Sequence, residues 1–174
     1  MNRIEPLHEI EPPHFRKVMG RFATGVTVIT ATTGGESHGM TANAFMSGSL
    51  DPPLCVVSVA RRAHMHAYLL EAKRFAVNIL AEGQADHATH FAGKLVPGLE
   101  PRFIDIDGIP TLGDASARIT AELAASHGCG DHTLFIGHIT AMDADERRPL
   151  LYFDGHYRAM QETCGAETPL PEFW

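Results

Sequence analysis

Cysteine is scarce in this sequence, and its placement excludes a disulfide framework. The 174 residues hold three, Cys55, Cys129 and Cys164, an odd number spread widely and without a Cys-x-x-Cys pair. That usage points to a reduced, cytoplasmic protein. Basic residues are also in the minority: 14 Lys and Arg stand against 21 Asp and Glu, for a formal net charge of −7. Without a basic excess the chain lacks the electrostatic footprint of a phosphate-backbone binder, so no nucleic acid is expected as a partner. No apolar run approaches the roughly 20 residues of a membrane span. The start, Met1-Asn2-Arg3-Ile4-Glu5-Pro6, has no apolar signal core, so no membrane partner is expected either. A dinucleotide fingerprint and a P-loop are both missing. Gly128-Cys129-Gly130 lacks the third glycine and the helix that would present backbone N–H groups to a phosphate.

What is present suits a soluble globular chain, with 44% hydrophobic and 20% charged residues. The length fits one domain, expected at residues 12–160 between a flexible N-terminal arm (1–11) and a C-terminal tail (161–174). Pro12-Pro13 predicts a helix start, and Phe15, Val18, Met19 and Phe22 follow at helical spacing, with Gly25 closing the element. Val26 to Thr33 is rich in β-branched residues and predicts a strand. Gly34-Gly35 makes a hairpin turn, and Ser37 to Phe45 returns as a second strand. Further strands are expected at 54–60, 75–80, 117–126, 132–142 and 150–153, with helices at 63–73 and 84–91. The stretch from Gly93 to Asp114 carries enough prolines and glycines to read as loop, and Asp154-Gly155-His156-Tyr157 as a turn. Strands joined by hairpins, with helices interspersed, predict a mainly β protein, a barrel decorated by helices.

Two motifs invite other chemistry. Gly35-Glu36-Ser37-His38-Gly39 matches the serine-hydrolase elbow pattern, but strand-like residues follow Gly39 where that fold needs a helix, so a glycine-rich hairpin fits better. Among 11 histidines, His87 and His90 sit at i, i+3, and His127, Cys129 and His132 lie close together. Neither group has the spacing of a structural zinc site, and no metal is expected.

The ordered set Phe22-Ala23-Thr24-Gly25-Val26-Thr27-Val28-Ile29-Thr30, Gly39-Met40-Thr41-Ala42-Asn43-Ala44-Phe45, Ser47-Gly48-Ser49-Leu50-Asp51-Pro52-Pro53-Leu54, Phe75 to Leu80, Gly130-Asp131-His132 and Leu151-Tyr152-Phe153 leading to Tyr157 resembles the short-chain flavin reductases, the reductase components of two-component flavin monooxygenases. The resemblance covers about Phe15 to Tyr157. It implies a six-stranded split β-barrel of the FMN-binding type, Greek-key-like, forming a homodimer. It also implies non-covalent FMN or FAD reduced by NADH or NADPH, and a partner oxygenase receiving the reduced flavin. By the match, Met40, Thr41, Ala42, Asn43 and Ala44 should contact the flavin ring and ribityl chain. The phosphate end should lie near Ser58, Val59, Ala60, Arg61, Arg62 and His64, with His90, Phe91 and Ala92 closing the far side. His132 and Tyr157, with Asp154 nearby, should take the nicotinamide side, His132 as the residue positioning the hydride donor. Gly48 departs from the apolar residue that family members commonly carry there, which is expected to loosen that turn. Ala60-Arg61-Arg62 departs from the commonest phosphate-side pattern and leaves FMN or FAD open.

The residues themselves are compatible with this. Thr41, Ala42 and Ala44 are small enough for a backbone to approach a flat ring, and Asn43 donates and accepts at a polar edge. Taken alone, the same segment suits a strand packing small residues against a helix even better. Phe91 fits either a core position or a lid. Other readings of the barrel are a non-catalytic flavin binder, a reductase of another acceptor such as a corrin, and a pyridoxamine-phosphate oxidase-like enzyme.

Overall fold

The computed structural model describes residues 10–161. Apart from residues 10, 11 and 161, the expected arm and tail lie outside the described residues, as does Cys164. Helix α1 (Pro12–Met19) starts at the expected proline pair but stops at Gly20, short of Gly25. It buries none of its residues, and Phe15, Val18, Met19 and the following Phe22 are all more than half exposed. The short β1 (Thr24–Gly25) leads into β2 (Thr27–Thr33), and Gly34 and Gly35, both at positive φ, turn the chain into β3 (Glu36–Ala42). The single strand expected from Ser37 to Phe45 is in fact two: β3 ends at Ala42, and β4 (Phe45–Ser49) begins after Asn43-Ala44. Then come β5 (Leu54–Ala60), α2 (His64–Ala72), β6 (Arg74–Ile79) and α3 (Ala85–Phe91).

The stretch expected as loop holds a hairpin, β7 (Phe103–Ile106) and β8 (Ile109–Leu112). Its turn is Asp107-Gly108, both residues at positive φ, the backbone that a two-residue hairpin needs to match strand twist. Two long strands, β9 (Ala117–Cys129) and β10 (His132–Ala144), outrun their expected ends, and β11 (Leu151–Phe153) and β12 (His156–Arg158) form a last hairpin. The turn there is only Asp154-Gly155, so Tyr157 stands on a strand.

The main sheet runs β3-β2-β6-β9-β10-β5-β4, every neighbouring pair antiparallel. Its two edge strands are consecutive in the chain. β3 pairs with β2 as far as Ala42, and β4 pairs with β5 from Phe45 onward, so one bent strand serves both edges. The Ser58 N–H donates to Ala44 O (3.0 Å) across this junction. The seven strands therefore occupy six positions, as expected of a six-stranded split barrel, with the chain bending from one edge to the other at Asn43-Ala44. Gly48 lies in β4 at a register shift, where a Cβ would stand 3.3 Å from Leu54 O and Val56 Cγ2. Gly48 thus stands at a bulge within a strand and not in a turn.

Inside the barrel, Ile29, Val57, Met65, Leu69, Phe75 and Phe135 are fully buried. β5 alternates strictly, with Cys55, Val57 and Val59 pointing inward. A second cluster, built on Val26, Val28, Leu80, Ala88, Leu112 and Leu150, joins β2 to α3 and β8, with Phe91, Tyr152 and Tyr157 packed against it. Buried Asn78 of β6 locks the β7–β8 hairpin to the barrel. Its amide Nδ2 donates to Val28 O (2.8 Å) and Thr30 Oγ1 (3.2 Å), and its Oδ1 accepts the Leu112 N–H (2.7 Å). Thr30 Oγ1 in turn donates to Pro110 O. On the next strand, nearly buried Arg118 is held by both Asp143 oxygens and by Gly113 O.

Two outcomes follow for stability. Asn78→Leu strands the Leu112 N–H and two acceptors in the interior and should cost on the order of 3 kcal/mol, read from urea unfolding midpoints. An unchanged midpoint would dismiss the lock. The Arg118 hydrogen bond holds the Asp143 carboxyl below the usual carboxylate range. A depressed carboxylate adds stability in full above the unfolded value of about 4 and loses it as pH falls through the folded value. Asp143→Asn should therefore be less stable than wild type at pH 7, with the gap closing below about pH 4. Thermal melts across that range measure it.

Candidate functional site

Because β3 is an edge, alternate backbone N–H and C=O groups along it face away from β2 with no strand to take them. Two hollows adjoin this strand. The larger, about 480 Å³, is lined by His38, Gly39, Met40, His64, His90 and Phe91, with Ala63 and Ala92 at its margin. The smaller, about 200 Å³, is lined by Val26, Thr41, Ala42, Asn43, Tyr152 and Tyr157. Met40 to Asn43, expected to seat a ring, thus line both hollows in succession. Ala44 is exposed at the break, its carbonyl taken by Ser58.

Helix α3 is fastened beside β3 by Thr41 Oγ1, which donates to Ala88 O (2.7 Å). Phe91, at the end of α3, lays its ring directly on Gly39. A Cβ there would come within 2.7 Å of two ring carbons, so only glycine permits the stacking. The ring packs on the second core cluster and also lines the larger hollow, so Phe91 is core and wall at once. His90 Nδ1 accepts the Val96 N–H (3.3 Å), which leaves Nε2 as the protonated nitrogen of its neutral ring.

The group expected at the phosphate end does not stay together. Ser58 and Ala60 are half-buried, but the side chain of Val59 is buried in the barrel core, because β5 alternates faces, and cannot meet a ligand. The Arg61 N–H donates to Asp131 O (3.0 Å), and its guanidinium lies against Gly128, where a Cβ would stand 2.7 Å from Nη2. Arg62 acts electrostatically on Asp131. Of Arg61, Arg62 and His64, only His64 lines the larger hollow, since it opens α2 while the arginines stand in the turn between β5 and α2.

The expected nicotinamide-side residues also fall into two places. His132 begins β10 opposite Ala60 of β5 and Cys129 of β9, close to Arg61 at one end of the barrel. Its Nδ1 lies 2.7 Å from Asp131 Oδ1, and that contact holds the exposed Asp131 carboxyl below the usual range. His132 lines neither hollow, whereas Tyr157 lines the smaller one, its ring 5.8 Å from that of Tyr152 across β11–β12. Asp154 faces Arg21 at 3.6 Å, and its N–H donates to Gly20 O (2.9 Å), tying the last hairpin to the end of α1. Ser37 sits mid-strand with its hydroxyl 2.9 Å from Thr32 Oγ1, so the hydrolase elbow is not formed.

Sequence reasoning missed Val26, Tyr152 and His38 as lining residues. Tyr152 was recoverable, because it stands opposite Tyr157 once a hairpin is drawn through Asp154-Gly155.

The donor set fits a flavin. The β3 edge supplies unpartnered backbone donors and acceptors, Asn43 adds an exposed amide, and Phe91, Met40 and two tyrosines supply flat apolar surface. The imidazoles of the larger hollow suit a phosphate.

Comparison with known proteins agrees. The model of the flavin reductase like domain matches residues 19–161. A Rhodococcus protein named NADH-dependent flavin reductase is 40% identical over 164 residues, covering 92% of this chain and 93% of its own. The reductase component of 4-hydroxyphenylacetate 3-monooxygenase from Thermus thermophilus is 38% identical over 147 residues, covering 84% of this chain and 95% of its own. The solved structure of flavin reductase PheA2 in its native state superposes with a TM-score of 0.85 at 43% identity, covering 88% of this chain and all of that one. With the split barrel, the β3 edge and these likenesses in agreement, the chain belongs to the flavin reductase like domain family.

Proposed function

We propose that the chain is an NADH-dependent flavin reductase that moves a hydride from the dinucleotide to FMN or FAD seated along β3. The observation that carries this is the edge of β3 itself, a row of unpartnered backbone groups running between two hollows. When bound, the flavin supplies the hydride acceptor. The chain's own residues align and shield. Backbone N–H groups of Thr41 to Ala44 and the Asn43 amide would hold a polar edge of the ring and stabilise charge arriving there. Phe91, through its contact with Gly39, would hold α3 against the strand that seats the ring, and Tyr152 and Tyr157 would keep water from the smaller hollow.

His132 serves as a positioning residue for the dinucleotide, its imidazole oriented by Asp131. It stands beside Arg61, which favours a role toward the anionic part of the donor as well as its nicotinamide. Reduced flavin then passes to a separate oxygenase, a reading supported by the Thermus relative, which is named as the reductase component of a monooxygenase. A second copy of the chain is the natural cover for α1, whose apolar residues Phe15, Val18, Met19 and Phe22 lie exposed among the described residues. Sedimentation should accordingly find a dimer.

Mixing the flavin-loaded protein with NADH in a stopped-flow instrument should bleach the flavin absorbance within the turnover time. A loaded protein that keeps its colour would be a flavin carrier, not a reductase. His132→Ala should raise the KM for NADH about tenfold, the loss of one charge-assisted contact, while the flavin Kd stays within twofold. Unchanged NADH kinetics would remove His132 from that role.

A further inference from the structure

Three imidazoles line the larger hollow from three separate elements: His38 from β3, His64 from α2 and His90 from the end of α3. The rings of His38 and His64 lie 6.1 Å apart, and that of His38 lies 5.1 Å from Tyr68. Among the described residues no carboxylate lines the hollow, and neither do Arg61 and Arg62, which turn instead to the β9–β10 end. A cavity whose charge rests on imidazoles alone is neutral at high pH and cationic at low pH. We propose that His38, His64 and His90 form a proton-gated subsite for the phosphate of the flavin nucleotide, so that flavin loading tightens as pH falls through the imidazole range.

The surroundings allow this gating. His38 pairs in register with Ala31 of β2, which adds no charge, so the titratable groups set against it are His64 and Tyr68 from α2, while His90 lines the same hollow from α3. Burial first, and then the neighbouring His64, push the His38 imidazole below its ordinary value. Both causes penalise a lone cation there, and both are offset when an anion sits between the rings. On α3, His87 lies within electrostatic reach of His90, with Asp86 and Asp114 acting on His87 in turn. His90 keeps Nε2 free for the ligand because Nδ1 is committed to the Val96 N–H. The choice of the flavin phosphate over the dinucleotide's rests on continuity: Gly39 and Met40, which line this hollow, lead directly into the proposed ring seat at Thr41 to Asn43.

The inference rests on the flavin reading, and the test separates the two. Dissociation constants of FMN and riboflavin would be measured by fluorescence quenching at pH 5.5, 6.5 and 7.5, for wild type, His38→Gln and His90→Gln. The phosphate's own titration is common to all three proteins and cancels in the comparison. Relative to His38→Gln, wild type should gain about tenfold in FMN affinity between pH 7.5 and 5.5, the effect of one imidazolium–phosphate contact. His90→Gln should lose the same gain, and riboflavin should show no pH dependence in any of them. FMN slopes that are identical in wild type and both variants would overturn the subsite, as would riboflavin following FMN. A pH dependence found in the NADH KM but not in FMN binding would also overturn it, by assigning the hollow to the other nucleotide. Failure of riboflavin to bind at any pH would overturn the flavin seat itself.

Discussion

One buried side chain holds this architecture together. Asn78 spends both faces of its amide on two other strands at once: Val28 and Thr30 of β2 on one side and the Leu112 N–H of β8 on the other. Without it the β7–β8 hairpin would keep the Thr30 hydroxyl on Pro110 O but lose the Leu112 N–H tie, leaving more of its placement to apolar contact, which is non-directional and sets no register. Leu112 belongs to the cluster on which α3, Phe91, Tyr152 and Tyr157 rest. The position of the hairpin therefore sets the floor under both hollows, and a hydrogen bond in the core reaches the proposed flavin seat through packing.

The strands that form the barrel wall were legible because β-branched runs and their glycine breaks are local signals, and β2, β5 and β6 fall close to where they were expected. What eluded sequence reasoning is non-local. Ser37 to Phe45 has no breaker at Asn43-Ala44. The chain bends there because two partner strands on opposite sides claim its two halves, a fact about β2 and β5 and not about the segment. The β7–β8 hairpin was hidden by surrounding prolines and glycines, although Asp107-Gly108 between isoleucines is a strong hairpin signal. At the site, neighbours in sequence parted company at the junction of β5 and α2. Val59 went inward by alternation, the arginines went to the β9–β10 end, and His64 went to the hollow. His38 escaped notice because nothing in a single strand position announces which helices will pack beside it.

The site combines economical parts. The chemistry belongs to the flavin and the dinucleotide, so the chain contributes geometry: an unpaired strand edge, one glycine under an aromatic ring and a few polar side chains at the rims. Phe91 shows how closely these are joined. Its ring is wall of the larger hollow and part of the core below, and its contact with Gly39 links helix to strand at the point where the proposed seat begins.

The bent strand has one more consequence. A barrel closed by hydrogen bonds all round keeps its shape without help, but here continuity across the seam is covalent, with Ala44 and Ser58 as the bond beside it. The free edge of β3 is therefore unfinished wall. A ligand that took up those backbone groups would play the part of a missing strand, so that filling the seat and completing the wall would be one event.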